Sequence, residues 1–165
     1  METAPSALHQ AVFENDEEKI RAVLREGISL NCQESNGKTP LYIAAEKGYL
    51  SIFQFLIYEG ADIYIQSNEG KTVLHVAVEI GNVEMVDMLL KMSTNISTKD
   101  NNGNTVLHLA CNGKNDYIVS AVLAHIYDVN VLNENGETPL YLAVANNVAV
   151  CQTGSSIFFL EGGIR

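Results

Sequence analysis

The sequence predicts an all-α solenoid of stacked helix-turn-helix units joined by β-hairpin-like loops. Three observations lead there. One short segment recurs every 33 residues, and the chain length of 165 is five times that spacing. The segment opens on a turn residue and a capping hydroxyl, which together start a helix. A second stretch with apolar residues at i, i+3 and i+4 follows in the first four copies, and that spacing buries one helical stripe.

The recurring segment reads GKTPLYIAA from Gly37, GKTVLHVAV from Gly70, GNTVLHLAC from Gly103 and GETPLYLAV from Gly136. A copy without the glycine runs from Ala4 through PSALHQAV to Val12. The hydroxyl is Ser6, Thr39, Thr72, Thr105 and Thr138. The leucine two residues on is Leu8, Leu41, Leu74, Leu107 and Leu140, and the small residue beyond it is Ala11, Ala44, Ala77, Ala110 and Ala143. In this register the units span 1–33, 34–66, 67–99, 100–132 and 133–165.

Each element has a local reason. The glycine gives the turn backbone conformations that a Cβ forbids. The hydroxyl is an N-cap whose oxygen takes an orphan amide hydrogen. Pro40 and Pro139 stand at the first helical position, where the missing N–H costs little. Val73 and Val106 replace them, leaving those starts less pre-organised. Leu41 and Ala44 share one face of the first helix, and alanine there lets helices approach closely.

The second helix carries Ile20, Val23 and Leu24, then Phe53, Leu56 and Ile57, then Val86, Leu89 and Leu90, then Val119, Val122 and Leu123. Gly27 and Gly60 are expected to end it as C′ residues; Ser93 takes that place in the third unit and Tyr127 or a neighbour in the fourth. In the first unit the second helix is expected to begin with Glu14, Asp16, Glu17 and Glu18, acids that suit a helix N-terminus, with Glu17 supporting Arg21 at i, i+4. Neither helix pair buries its stripe alone, so neighbours must stack.

The last unit departs from the pattern. Its apolar trio falls on Gln152, Ser155 and Ser156, and a displaced run, Ile157 to Leu160, follows. A shifted helix that caps the stack is one reading; a frayed tail or the junction of a longer protein is the other. The expected division is a repeat domain over 1–150 and an irregular cap or tail over 151–165.

These residues resemble the ankyrin repeat family, whose 33-residue unit starts its first helix with T-P-L-H-x-A. The resemblance implies five units, the last degenerate. It implies a non-catalytic protein-protein interaction module, an adaptor or competitive inhibitor, with the partner on the concave face of hairpin tips and first helices. On this chain that face comprises Ser35, Asn36, Lys38, Glu46 and Lys47, then Asn68, Glu69, Lys71, Glu79 and Ile80. It continues through Asn101, Asn102, Asn104 and Asn112 to Glu134, Asn135 and Glu137. The stripe is polar and rich in asparagine, with two lysines towards one end, acids towards the other and few aromatic anchors.

Composition narrows the function further. Hydrophobic residues make up 47% and charged residues 18%, enough to bury a core and too little charge for a disordered chain. A net charge of −10 argues against a phosphate-backbone partner and favours a self-repelling monomer and a partner with a basic surface. There is no basic-then-apolar leader in the first thirty residues, and no apolar run reaches the roughly 20 residues a membrane span needs. Cys32, Cys111 and Cys151 are scattered and odd in number, which fits reduced thiols in the cytoplasm or nucleus; an effector secreted without a cleaved signal is the alternative.

No constellation for catalysis appears: there is no nucleophile elbow, no H-E-x-x-H and no phosphate loop. His9, His75 and His108 share one position, which Tyr42 and Tyr141 occupy in the other units. A phenol replaces a hydrogen-bonding ring but not a zinc ligand, and the resemblance implies that each imidazole bonds its own unit's turn. No metal or cofactor is therefore expected. Cys111 stands at a core position and Cys32 in a hairpin with no activating neighbour in the sequence. Asn31 and Asn130 fall where the family carries a turn asparagine that is sometimes hydroxylated. A second function class stays open, the repeat region of a larger enzyme or channel cut or spliced after the fourth full unit.

Overall fold

The computed structural model describes residues 6–92, 95–113 and 115–146. The expectations for Ser93, Gln152, Ser155, Ser156, Ile157 to Leu160 and Cys151 lie outside them. Among the described residues there are nine helices and no strand. First helices are α1 (Ala7–Phe13), α3 (Pro40–Glu46), α5 (Val73–Glu79), α7 (Val106–Asn112) and α9 (Pro139–Ala145). Second helices are α2 (Glu17–Arg25), α4 (Leu50–Tyr58), α6 (Val83–Lys91) and α8 (Asp116–Leu123). Each of α1, α3, α5 and α7 packs on its own second helix and on the first helix of the next unit, and α4, α6 and α8 pack in sequence behind them. The chain is an all-α solenoid of two helical rows.

Helix starts follow the sequence. Ser6, Thr39 and Thr138 accept from the backbone N–H three residues on. In α5 and α7 the histidine completes a capping box: the Thr72 N–H donates to His75 Nδ1 at 3.2 Å, and the Thr105 N–H donates to His108 Nδ1 at 3.1 Å. Three of the second helices, α2, α6 and α8, have side-chain caps that the repeat register did not reveal. Asp16, Asn82 and Asn115 accept from first-turn amides of α2, α6 and α8, the ordinary preference for Asp and Asn at that place.

The core follows the predicted register, except that Leu140 is only half-buried. Leu8, Leu41, Leu74 and Leu107 are buried, with Ala11, Ala44, Ala77, Ala110 and Ala143 between them. Of the second-helix trios, the first two members are buried throughout, whereas Leu24, Ile57 and Leu123 are only partly so. Ile52, Met85 and Ile118, one place earlier, are buried as well.

Two expectations are corrected. The second helix of the first unit starts at Glu17 behind the Asp16 cap, while Glu14 is the C-cap of α1 and pairs with Lys19. Asn15, in the left-handed region at φ 56°, separates the two helices, so the chain cannot be helical through the acidic run. At the end of α8 the residue after the C-cap is His125, not Tyr127. Its Nδ1 lies 2.9 Å from the Ala121 carbonyl, so a side-chain donor closes that terminus where Gly27 and Gly60 use left-handed backbone. Glu17 and Arg21 pair as expected, at 2.6 Å.

Candidate interaction face

The loops between units are tight hairpins, and the last three are braced from within. Asp100 Oδ1 accepts from the N–H groups of Asn102 and Asn104, and Asn133 Oδ1 accepts from those of Asn135 and Glu137. Ser67 Oγ does the same for Glu69. All three braces are buried, which suits groups whose polar atoms are engaged.

Neighbouring hairpins are stitched together. Asn68 N donates to the Asn36 carbonyl, Asn101 N to that of Glu69 and Glu134 N to that of Asn102, each at 2.9 Å. The Asn68 side-chain amide donates to the Ser35 carbonyl and that of Asn101 to the Asn68 carbonyl, each at 2.8 Å. Asparagine at the tip thus has a structural role that repeat reading alone did not disclose. Gln33 and Gln66 repeat the device lower down, each spanning to a carbonyl 33 residues ahead.

The histidines reach further than expected. Their Nδ1 atoms face the capping hydroxyls of their own units, as the resemblance implies. The Nε2 of His9 also meets the Lys38 carbonyl at 3.0 Å, and that of His108 the Glu137 carbonyl at 3.2 Å, both across a unit boundary. His75 Nε2 meets the Thr98 carbonyl at 3.1 Å. In α5 and α7 a backbone N–H must donate, so Nδ1 accepts and Nε2 carries the proton. Burial pushes the pKa of His75 and His108 down. Cys32 Sγ lies 3.3 Å from Ser6 Oγ and 3.8 Å from His9 Nδ1.

Of the face residues, Ser35, Asn36, Glu46, Lys47, Asn68, Glu69, Glu79, Ile80, Asn101, Asn102, Asn112, Glu134 and Asn135 are exposed. The half-buried ones, Lys38, Lys71, Asn104 and Glu137, share one register position. In the second and third units that position holds an ion pair to the end of the same first helix: Lys38 to Glu46 and Lys71 to Glu79, both 2.8 Å. Burial, the largest single influence, lowers the affinity of each ammonium for its proton, but the glutamate hydrogen bond together with the surrounding negative charge exceeds it and the net shift is upward. In the fourth unit both partners are asparagine, Asn104 and Asn112, and in the fifth the pair is Glu137 and Ala145. Charge therefore changes along the face from neutralised lysine to unneutralised glutamate.

Apolar contacts are sparse. Ile80 borders a groove of about 320 Å³ shared with Val78, Ala110 and Ile118. Lys47 covers the exposed Phe13 ring, 4.2 Å from its centroid.

A family profile described as ankyrin repeats, in three copies, matches residues 8–100 and 92–153. The chain belongs to the ankyrin repeat family. Over 45 residues it is 44% identical to the ankyrin repeat and SOCS box protein 3 of Homo sapiens, covering 27% of this chain and 9% of that protein. The Bos taurus protein of the same name is 44% identical over 41 residues, 25% of this chain and 8% of the relative. The chain spans about a tenth of the length of the curated relatives it matches. Ankyrin repeats are protein-protein interaction modules, and the T-P-L-H-x-A start is recognisable here as the cap, the core leucine and the bridging ring described above. Among the described residues, no helix is long and apolar enough to cross a membrane, and no three His, Cys, Asp or Glu side chains converge as metal ligands would.

Proposed function

We propose that this chain is a non-catalytic adaptor or competitive inhibitor whose protein partner docks on the face of hairpin tips and first helices. The observation that carries the reading is the cross-unit stitching of that face. Backbone and asparagine bonds hold successive tips at a fixed spacing, so a partner meets a pre-organised ridge and little ordering entropy is lost on binding. The reading includes a repeat domain over 1–150, a monomer at work in the cytoplasm or nucleus, and no cofactor.

A photo-crosslinking side chain tests it. Placed at Ile80 or Asn102 in cells, it is expected to capture one and the same protein. Placed at Glu84 or Ser120, exposed on the second helices, it is expected not to. Capture only from the second helices overturns the assignment of the face, and capture from no position overturns the module reading.

A second reading is favoured by one observation. The relatives are about ten times longer than the matched stretch, and by name they carry a second module beside their repeats. On this reading the chain is the repeat region of a longer protein, an enzyme or channel among them. Transcript sequence beyond the Arg165 codon decides: an open continuation supports it and a stop codon removes it.

A further inference from the structure

We propose that the groove between the fourth and fifth units is a socket for one arginine side chain of the protein partner. This rests on the docking face proposed above and specifies the chemistry at one end of it.

The groove holds about 250 Å³ between the hairpin tips and the first helices α7 and α9. That is below the roughly 300–1,000 Å³ of small-molecule sites and suits a single inserted side chain. Its acceptors converge from three places. Both hydrogen bonds to Glu137 fall on Oε2, from Asn133 Nδ2 at 2.9 Å and Asn135 Nδ2 at 3.3 Å. Glu137 Oε1 is left with no partner among the described residues. Asn104 Oδ1 accepts one bond, from Asn133 Nδ2, and Asn112 Oδ1 accepts one, from Asn146 Nδ2, each at 3.0 Å. An amide oxygen has two lone pairs, so both can accept again. Glu134 adds a second carboxylate at the rim.

Among the described residues, no lysine or arginine lines the groove. The register position that supplies a neutralising glutamate to Lys38 and Lys71 supplies only Ala145 opposite Glu137. The Lys99 ammonium is bound to the Leu132 carbonyl at 2.9 Å. His108, buried at the base, accepts the Thr105 N–H at Nδ1 and so carries its single ring proton on Nε2, towards the Glu137 carbonyl; burial pushes its pKa down.

A cation is thus the complement, and the shape of the acceptor set selects which. A guanidinium presents five donors in a planar fork and meets a carboxylate and amide oxygens together, whereas an ammonium is a compact point charge. Leu109 and Leu142, on the walls, cover an aliphatic stem.

The test uses the whole chain, ¹⁵N-labelled, titrated with Nα-acetyl-arginine methylamide and followed by NMR. We expect saturable shifts of the Asn104, Asn112 and Asn135 side-chain amides and of the Glu134–Glu137 backbone, with a dissociation constant on the order of 1–10 mM. The lysine analogue is expected to bind several-fold more weakly, and the neutral citrulline analogue about tenfold more weakly or not at all. Glu137→Gln keeps an acceptor for Asn133 and removes the charge; it is expected to abolish saturation, while Glu84→Gln, off the face on α6, leaves it intact. If Glu137→Gln does not fold, Asn112→Leu, which fills the groove from an exposed helix end, decides instead.

No saturable shift, equal response to citrulline, or binding unchanged in both groove variants overturns the socket. Failure here with capture intact at Ile80 and Asn102 removes the socket alone. Loss of that capture removes the docking face whatever the arginine probe does.

Discussion

A methyl group on Gly70 would stand 2.5 Å from Asn101 Oδ1 and 2.9 Å from Asn101 N. The Asn101 amide nitrogen is the one that donates to the Glu69 carbonyl of the preceding tip. The glycine therefore answers two demands at once, a φ of +75° and the close approach of the next hairpin.

Gly136 separates those demands. It has nearly the same φ, +74°, but no described residue lies within 4 Å of an added Cβ. Gly136→Ala is expected to cost about 1–2 kcal/mol for the left-handed backbone. Gly70→Ala pays that and also parts two tips, at about another 1 kcal/mol or more for the stitching bonds. Urea unfolding of the two variants checks the order; equal losses would mean that the tips yield freely.

Ala77 is fully buried between first helices. Ala77→Leu forces extra carbon atoms between them and is expected to destabilise by about 1–3 kcal/mol. An unchanged melting transition would remove Ala77 from the core.

His75 and His108 predict a pH dependence. Burial holds both below the ordinary value of 6.5, so below that pH the unfolded chain takes up protons that the folded chain refuses. Stability is full above pH 6.5 and falls as pH drops towards the folded-state values. The melting temperature of the wild type is expected to fall more steeply between pH 7.5 and 5.5 than that of His75→Gln. Parallel profiles would show that folding does not lower the pKa of the ring at 75.

The Lys71–Glu79 pair is partly exposed, with Glu79 at 43%. A double-mutant cycle with Lys71→Met and Glu79→Gln is expected to give a coupling of about 0.2–1 kcal/mol that shrinks in high salt. A salt-independent coupling would mean that the pair acts through packing.

What the sequence determined by itself is whatever one unit decides locally. The turn glycine, the hydroxyl cap, the proline at the helix start and the i, i+3, i+4 stripe act within a few residues, so a 33-residue period displays them directly. The register alone identified Leu41, Leu74 and Leu107 as core. It overlooked the Asp16, Asn82 and Asn115 caps because they lie outside the segment that repeats most strongly, although Asp or Asn before an apolar run was there to be read.

Only the tertiary structure decided how one layer meets the next. That Asn68 bonds the Ser35 carbonyl, that His108 reaches Glu137 and that Glu137 and Asn112 line one groove depends on residues 25 to 33 places apart. Their distance is set by stacking, because side-chain geometry across a unit boundary follows from how the buried stripes of adjacent helix pairs close on one another.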